Sequence, residues 1–261
     1  MSARLRPVLA SLAIVSATLI SAAGLAAPAR VPVVVELFTS EGCSDCPPAD
    51  ALLAELDRTQ PVPGALIIPL EEHVDYWDHQ GWRDPFSSAA FTERQVDYAR
   101  HFGISGPYTP QMVVAGQTEF VGSRSQKARA AIAAAAAVPS VGIDLDISGD
   151  AAPNGWLRAD IRVNSYPANA SENAEAYLAI TEDGLASDVS AGENKGRHME
   201  HRAVVRKLIS AGKIKAGKPF ATRVNERIAR EWNGENLRVV VFLEGSSTGR
   251  ILGAAAAPVA R

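Results

Sequence analysis

The sequence reads VVVELFTSEGCSDCPPADALL from residue 33 to residue 53, and the only two cysteines of the chain lie within this stretch. A β-branched apolar run typical of a strand comes first, and a run with helical apolar spacing follows the cysteines. A cysteine pair two residues apart between a strand and a helix is typical of a dithiol that opens and closes as a disulfide. The stretch therefore predicts a strand, a redox-active Cys-x-x-Cys turn and a helix.

The order of the remaining runs predicts two different folds along the chain. Between residues 31 and 139, strand-like and helix-like runs alternate, which predicts an α/β domain. The predicted helices cover residues 46–58, 88–102 and 125–137. After Pro139, short runs of alternating apolar and polar residues are separated by Gly, Asn and Pro. This pattern predicts a mostly antiparallel β-sandwich-like domain over residues 140–261.

The N-terminal segment has the pattern of a secretory signal peptide. Arg4 and Arg6 precede an uncharged run, and small residues continue from there to Ala27. We expect residues 1–27 to be removed on export, which predicts a periplasmic or secreted protein. The alternative is retention as an N-terminal anchor, because the uncharged stretch over residues 7–29 is long enough to span a bilayer. No later segment is apolar enough to cross, so the mature chain is expected to have no membrane span.

Composition and motifs exclude several classes of function. The formal net charge is -3, and no basic cluster with interleaved aromatic residues occurs, so nucleic acid is not an expected partner. The chain has no phosphate-binding glycine loop, no Gly-x-Ser-x-Gly and no His-Glu-x-x-His. Nucleotide-dependent and hydrolytic functions therefore have no support in the sequence.

The positions of the two cysteines predict a role for each sulfur. Cys43 lies at or just before the first helical turn, where unpaired amides and the helix dipole favour a thiolate. Cys46 lies within that turn, so we expect Cys43 to attack at the protein surface and a partly shielded Cys46 to resolve the mixed disulfide. A bond that closes so short a loop stabilises the fold little, which argues against a purely structural role.

Several motifs resemble known proteins. A strand, a Cys-x-x-Cys helix and the pair Thr109-Pro110 before a later strand resemble the thioredoxin fold, which implies a cis proline against the disulfide. A more specific resemblance is to the uncharacterised secreted DUF1223 family, which implies a thioredoxin-like domain joined to a second domain. The motifs that carry this resemblance lie at residues 35–50, 73–78, 81–82, 108–111 and 194–197.

The thioredoxin resemblance also implies a substrate-binding face. Backbone groups of Thr109, beside Pro110, would pair with an extended polypeptide, and Tyr108 and Trp77 are the further residues expected on this face. Protein or small-molecule thiols and disulfides are the expected partners. Apart from the redox-active disulfide, no cofactor is expected.

The segment over residues 71–82 is dense in acidic, histidine and aromatic side chains. It follows a strand whose carboxyl end should lie near the cysteines, as functional loops often do. The plainer interpretation is that Trp77 and Trp82 pack against the second half of the chain while the carboxylates remain in solvent.

Three functions are compatible with these residues. The main hypothesis is an exported thiol-disulfide oxidoreductase that uses Cys43 and Cys46. The first alternative is a periplasmic metal chaperone, because Cys43, Cys46 and His73 could bind copper or zinc. The second is a redox-inert binding module whose β-rich half recognises a partner.

The sequence contains one further pair of histidines. His198 and His201 border a strand-like run, and residues three apart on a strand point to opposite faces. We therefore expect local hydrogen bonds or ion pairs for these two residues rather than a shared metal ion.

Overall fold

The computed structural model describes residues 30–164, 166 and 172–259. The predicted signal peptide, residues 1–27, lies outside the described residues. The helices are α1 (Pro47–Thr59), α2 (Ala89–Phe102) and α3 (Ser125–Ala136). The strands are β1 (Val31–Thr39), β2 (Ala65–His73), β3 (Gln111–Val114), β4 (Thr118–Val121), β5 (Asp144–Gly149), β6 (Trp156–Val163), β7 (Ala174–Glu182), β8 (Leu185–Asp188), β9 (His198–His201), β10 (Val204–Ile214), β11 (Phe220–Arg227), β12 (Leu237–Gly245) and β13 (Ile251–Pro258).

All three predicted helices are confirmed to within one residue at each end. Pro47 and Pro48 begin α1, at positions where a helix does not need the missing N–H. Ser88 caps α2 by accepting a hydrogen bond from the backbone N–H of Ala90. The same helix ends at Gly103, whose φ of 66° is the left-handed conformation expected of a glycine cap. None of the helices among the described residues combines the length and apolar character needed to cross a bilayer.

Eight strands form one mixed sheet, in the order β13-β12-β7-β10-β2-β1-β3-β4. β1 and β2 are parallel neighbours along their whole lengths. The other edge of β2 pairs in parallel with β10, where Glu71 is opposite Val204. The sheet therefore continues from the first half of the chain into the second.

The expected fold, a thioredoxin-like α/β domain followed by a β-sandwich-like domain, is wrong. The described chain is mostly β, and its two halves share both a sheet and an apolar core. Phe38 and Ile68 from the first half lie in the same buried cluster as Val205 and Phe242 from the second. Apolar alternation predicts that a segment is a strand, but it carries no information about which edge the strand will join. Here the open edge of β2 is covered by β10.

Part of the predicted sandwich is present at one end of the large sheet. Three strands form a smaller sheet in the order β11-β6-β5. Leu157 and Ile161 of β6 pack against Leu178 of β7 and Val241 of β12. The larger layer of this packing is the shared sheet, so the second half does not build a sandwich of its own.

A separate two-stranded ribbon, β8 with β9, connects the second half to the cysteine region. Asp188 is opposite His198 at the end of the ribbon from which the connecting loop leaves. This loop, residues 189–197, is called the cover loop below, because it lies against the cysteine turn.

Candidate functional site

Cys43 and Cys46 form a disulfide at the N-terminus of α1. Cys46 is the N-cap residue, and its carbonyl oxygen accepts hydrogen bonds from the N–H groups of Ala49 and Asp50. Pro47 and Pro48 lie between Cys46 and Ala49, so two of the free N–H groups that a helix N-terminus usually offers are missing. A thiolate here therefore has fewer backbone donors than the helix position alone predicts.

Both cysteines are buried in this disulfide form. The exposed fraction is 2% for Cys43 and 0% for Cys46, whereas Ser44 and Asp45 between them are exposed. The expectation that a sulfur faces solvent is therefore wrong for the oxidised protein. A distant part of the chain, which the motif itself does not reveal, lies over the turn.

The cover loop holds the cysteine turn through three hydrogen bonds. The side-chain nitrogen of Asn194 donates to the carbonyl oxygens of Glu41, at 2.8 Å, and Cys43, at 2.9 Å. The backbone N–H of Ser44 donates to a carboxylate oxygen of Glu193 at 3.1 Å. Asn194 is fully buried, and its side-chain oxygen has no hydrogen-bond partner among the described residues. A few polar contacts thus keep the disulfide covered.

The residues of the expected substrate-binding face lie beside the same turn. The indole N–H of Trp77 donates to the Thr109 hydroxyl at 2.8 Å, and the Cβ of Trp77 lies 3.1 Å from where a Cβ at Gly42 would be. The Thr109-Pro110 bond is cis, as the resemblance implied. Tyr108 is half-buried and donates from its hydroxyl to Glu119. The structure brings these segments together, and their role in substrate binding stays a prediction.

His73 belongs to a buried cluster of acids and histidines. Its Nδ1 lies 2.7 Å from an Oδ atom of Asp84, and its Nε2 lies 3.6 Å from Oε1 of Glu71. His201 approaches the same Oε1 of Glu71 through Nδ1 at 2.8 Å. The Nε2 of His201 lies 3.1 Å from Oε1 of Glu41. One carboxylate oxygen is therefore shared by two imidazoles.

Strand geometry explains how this cluster forms. Glu71 and His73 are two residues apart on β2, so their side chains point to the same face of the sheet. His201 ends β9, immediately before the chain enters β10 and pairs with β2. Phe86 closes the cluster, with its ring centroid 5.4 Å from that of His73 and 5.6 Å from that of His201. The position of β10 beside β2 is what brings His201 to the site.

The cluster shifts the pKa values of its members. Burial opposes the charged form of His201, but hydrogen bonds to Glu41 and Glu71 raise its pKa to about 9. Burial alone would raise the pKa of Glu71, yet the hydrogen bond with His201 and the charges of His201 and His73 lower it to about 2. Burial also disfavours a charge on His73, and the neighbouring Asp84 carboxylate nevertheless raises its pKa well above the ordinary value. The geometry favours a charged network.

Asp50 lies between the cluster and the cysteines. It follows Cys46 by one helical turn, and one of its oxygens accepts a hydrogen bond from the Thr39 hydroxyl at 2.6 Å. Its second oxygen has no hydrogen-bond partner among the described residues. Burial, followed by the charge of Glu71, raises the pKa of Asp50 to about 7. A carboxyl group that changes protonation near neutral pH thus lies at the start of α1.

Sequence reasoning missed most of this cluster. The two histidines of β9 do lie on opposite faces, as predicted, with His198 exposed and His201 buried. His198 pairs locally with Asp188, whereas the partners of His201 are distant in sequence. The interpretation that the carboxylates of residues 71–82 remain in solvent is wrong for Glu71, which is 1% exposed. The available signal in the sequence was that His201 shares a strand face with the apolar Met199.

A second buried cluster lies on α2, beside a cleft of about 790 Å³. The guanidinium of Arg94 contacts Glu36 at 2.6 Å, Glu244 at 2.9 Å and Glu72 at 3.8 Å. Its Nη2 also donates to the hydroxyl of Tyr98 at 3.0 Å. Three acidic side chains from β1, β2 and β12 therefore depend on one buried cation.

A family model described as "Protein of unknown function (DUF1223)" matches residues 34–244. The chain belongs to the DUF1223 family. The resemblance noted in the cysteine motif is thereby confirmed over most of the sequence. No curated protein matches the chain.

Two solved structures have an architecture similar to that of this DUF1223 protein. Protein AGR_C_4864 from Agrobacterium tumefaciens is 25% identical, with a TM-score of 0.65 over 89% of this chain and 96% of that one. HBP35 of Porphyromonas gingivalis is 12% identical, with a TM-score of 0.65 over 88% of this chain and 76% of that one. At this identity the second likeness concerns the fold alone.

Proposed function

We propose that this DUF1223 protein carries out thiol-disulfide exchange through Cys43 and Cys46. The observation that carries the proposal is the disulfide between these residues at the start of α1. A bond closing so short a loop restricts the unfolded chain little, so stability is a weak reason for its presence. A reversible redox role therefore accounts for the cysteine pair better than a structural role does.

The exchange is balanced by a substrate dithiol. A substrate thiolate attacks the sulfur of Cys43, the disulfide breaks, and Cys46 leaves as a thiolate that takes up a proton. The second substrate thiolate then attacks the substrate sulfur of the mixed disulfide. Cys43 is released as a thiolate, which is also protonated. Two electrons and two protons pass from the substrate to the protein. The reverse sequence reduces a substrate disulfide.

Exchange requires the cover loop to move, because both cysteines are buried beneath it. The polar contacts made by Asn194 and Glu193 are few enough to open locally without unfolding the sheet. Opening would uncover Cys43 beside Trp77 and Thr109, the face on which we expect a polypeptide or small thiol to bind. The signal-peptide pattern of residues 1–27 supports a periplasmic or secreted location, where disulfides persist.

The test is exchange activity in insulin reduction and in recovery of scrambled ribonuclease. We expect wild type to be active, Cys43→Ser to be inactive, and Cys46→Ser to accumulate a mixed disulfide with substrate. Ser44→Ala, an exposed change between the cysteines, is the matched control and should remain active. Equal activity of wild type and Cys43→Ser would refute the proposal. So would a native disulfide that glutathione buffers do not reduce, which is the outcome expected of a redox-inert binding module.

Copper titration separates this function from the metal-chaperone alternative. A chaperone that uses Cys43, Cys46 and His73 would bind one Cu(I) ion tightly in the reduced state and lose affinity in His73→Ala. In the structure, His73 contacts Asp84 and Glu71. We therefore expect Cu(I) affinity to depend on the cysteines and to be insensitive to His73→Ala.

A further inference from the structure

We infer that Glu71, His73 and His201 bind a divalent transition-metal ion, with Zn²⁺ as the representative species. One ligand atom from each residue lies within 4.8 Å of the other two. Imidazole nitrogen and carboxylate oxygen are ligands that Zn²⁺ accepts readily, and two histidines with one glutamate leave a position open for water or substrate. The proposed site uses neither cysteine and is independent of the exchange function.

The spacing of the inner atoms suits a single ion. Oε1 of Glu71 is 3.6 Å from Nε2 of His73 and 2.8 Å from Nδ1 of His201. Zinc bonds of about 2.0–2.2 Å place neighbouring ligand atoms of a tetrahedron roughly 3.3–3.6 Å apart. The first distance fits. The second is too short, and a small side-chain rotation that moves Nδ1 of His201 away from Glu71 by less than about 1 Å would bring it into this range. The other oxygen of Glu71 accepts the backbone N–H of Arg202, which leaves Oε1 for the ion.

The outer nitrogens of both imidazoles already have carboxylate partners. Nδ1 of His73 lies 2.7 Å from Asp84, and Nε2 of His201 lies 3.1 Å from Glu41. When an ion binds, each imidazole must release the proton of its inner nitrogen, and such carboxylate-imidazole pairs keep the remaining proton on the outer nitrogen. The partners are themselves fixed, since Trp82 donates to Glu41 at 2.8 Å. A second layer of support therefore surrounds the three ligands.

One atom of the cluster lacks a partner unless a ligand is added. Nε2 of His73 is fully buried and makes no hydrogen bond among the described residues, and its 3.6 Å separation from Glu71 is too long for one. A buried polar atom without a partner is costly. A metal ion bonded to this nitrogen would satisfy it, whereas the hydrogen bonds of the cluster do not.

A cleft lies next to the site, beside α1. His201 and Asp50 line a cleft of about 940 Å³ between α1 and β9. The cleft also reaches Pro47, the residue next to the cysteine pair. The imidazole of His201 is itself fully buried, so an ion that reaches this cleft needs a local opening of the cleft lining to contact its nitrogens.

The experiment is calorimetric titration of metal-stripped, oxidised wild-type protein with Zn²⁺ alone, since the intact disulfide removes both thiolates as ligands. We expect one ion per chain. His201→Ala and His73→Ala should each weaken binding at least 100-fold, and His198→Ala, on the exposed face of the same strand, should leave it unchanged. Titration with Co²⁺ should give the visible absorption of a four-coordinate ion with nitrogen and oxygen ligands.

Asp84→Asn is a second test that removes no ligand, and it applies even if the histidine variants fail to fold. It keeps all three ligands and replaces the carboxylate that faces Nδ1 of His73 and accepts the N–H groups of Glu41 and Phe86 with a neutral amide of the same shape, so affinity should fall about 10- to 100-fold. Circular dichroism establishes that each variant is folded. Absence of stoichiometric Zn²⁺ binding to folded wild type, or equal affinity in His73→Ala and His198→Ala, would overturn the inference. Because no cysteine is needed, this outcome is separate from the result of the exchange assay.

Discussion

The side-chain nitrogen of Asn194 lies 2.9 Å from the carbonyl oxygen of Cys43, across 151 positions of sequence. The same nitrogen is 2.8 Å from the carbonyl oxygen of Glu41. A residue of the second half of the chain thus fixes the backbone on the N-terminal side of the disulfide. Access to the sulfurs is governed from outside the motif that contains them.

Asn194→Ala should make the disulfide easier to reduce. The change removes two neutral hydrogen bonds, worth about 1 kcal/mol each, from a loop whose opening exposes the sulfurs. A difference of about 1.4 kcal/mol is tenfold in an opening equilibrium, so the reduction rate with dithiothreitol should rise about tenfold or more. Glu193→Gln, an exposed neighbour that keeps an acceptor for Ser44, is the control. An unchanged rate in Asn194→Ala would mean that the loop does not limit access.

Removal of the disulfide should cost little stability. A closed loop of about four residues corresponds to about 2 kcal/mol of unfolded-state entropy. Urea unfolding of oxidised wild type and of Cys43→Ser/Cys46→Ser should therefore differ by about that amount. A loss of more than about 5 kcal/mol, the upper end of the range for disulfides, would indicate a structural bond.

Arg94→Met should be strongly destabilising. Glu36 is completely buried and lies 2.6 Å from the Arg94 guanidinium, so removal of that cation leaves an uncompensated buried carboxylate at a cost of about 3–5 kcal/mol. Arg100→Met on the same helix is the control, because Arg100 is 74% exposed and pairs with an exposed Asp97. That change should cost less than about 1 kcal/mol in urea unfolding. Adding Glu36→Gln to Arg94→Met should recover part of the loss.

The stability of the Arg94 cluster should depend on pH. Burial, only partly offset by the Arg94 charge, raises the pKa of Glu244 above its ordinary value. The folded state therefore holds this proton more tightly than the unfolded state does. The contribution to the free energy of unfolding is full below the unfolded pKa of about 4.3 and is lost as the pH rises through the folded pKa.

Glu244→Gln tests this dependence by keeping the side chain neutral. The variant should gain stability relative to wild type as the pH rises above about 4, measured by urea unfolding at a series of pH values. Glu55→Gln, whose partner Arg129 is on the surface, should show no such trend. A parallel pH profile for wild type and Glu244→Gln would show that Glu244 does not titrate in this range.

Local elements followed from the sequence because local rules determine them. Proline at the start of α1 and glycine after the end of α2 are short-range signals, and both helix boundaries lie within one residue of the predicted ranges. The pairing of β2 with β10 instead joins two strands that are separated by about half of the sequence. The alternating pattern in the second half was equally compatible with a separate sandwich, so the shared sheet could not be predicted from it.

The same distinction applies to the site. The cysteine pair is contiguous and was recognised at once, and the disulfide is present. The partners of His73 were not recognised. His201 comes close to it only through the β9–β10 connection, and Asp84 only through the loop after β2. The burial of Cys43 likewise depends on Asn194. Residues that assemble through tertiary pairing leave no spacing signature.

The common apolar core has a consequence for how the chain matures. Phe38 and Ile68 pack partly against Phe242 and Ala254, which are translated long after them. A nascent chain that has only reached Pro139 would present these side chains and the bare edge of β2 to its surroundings. We therefore expect chaperones to hold the early chain until β12 and β13 emerge, and fragments cut at that point to aggregate rather than fold.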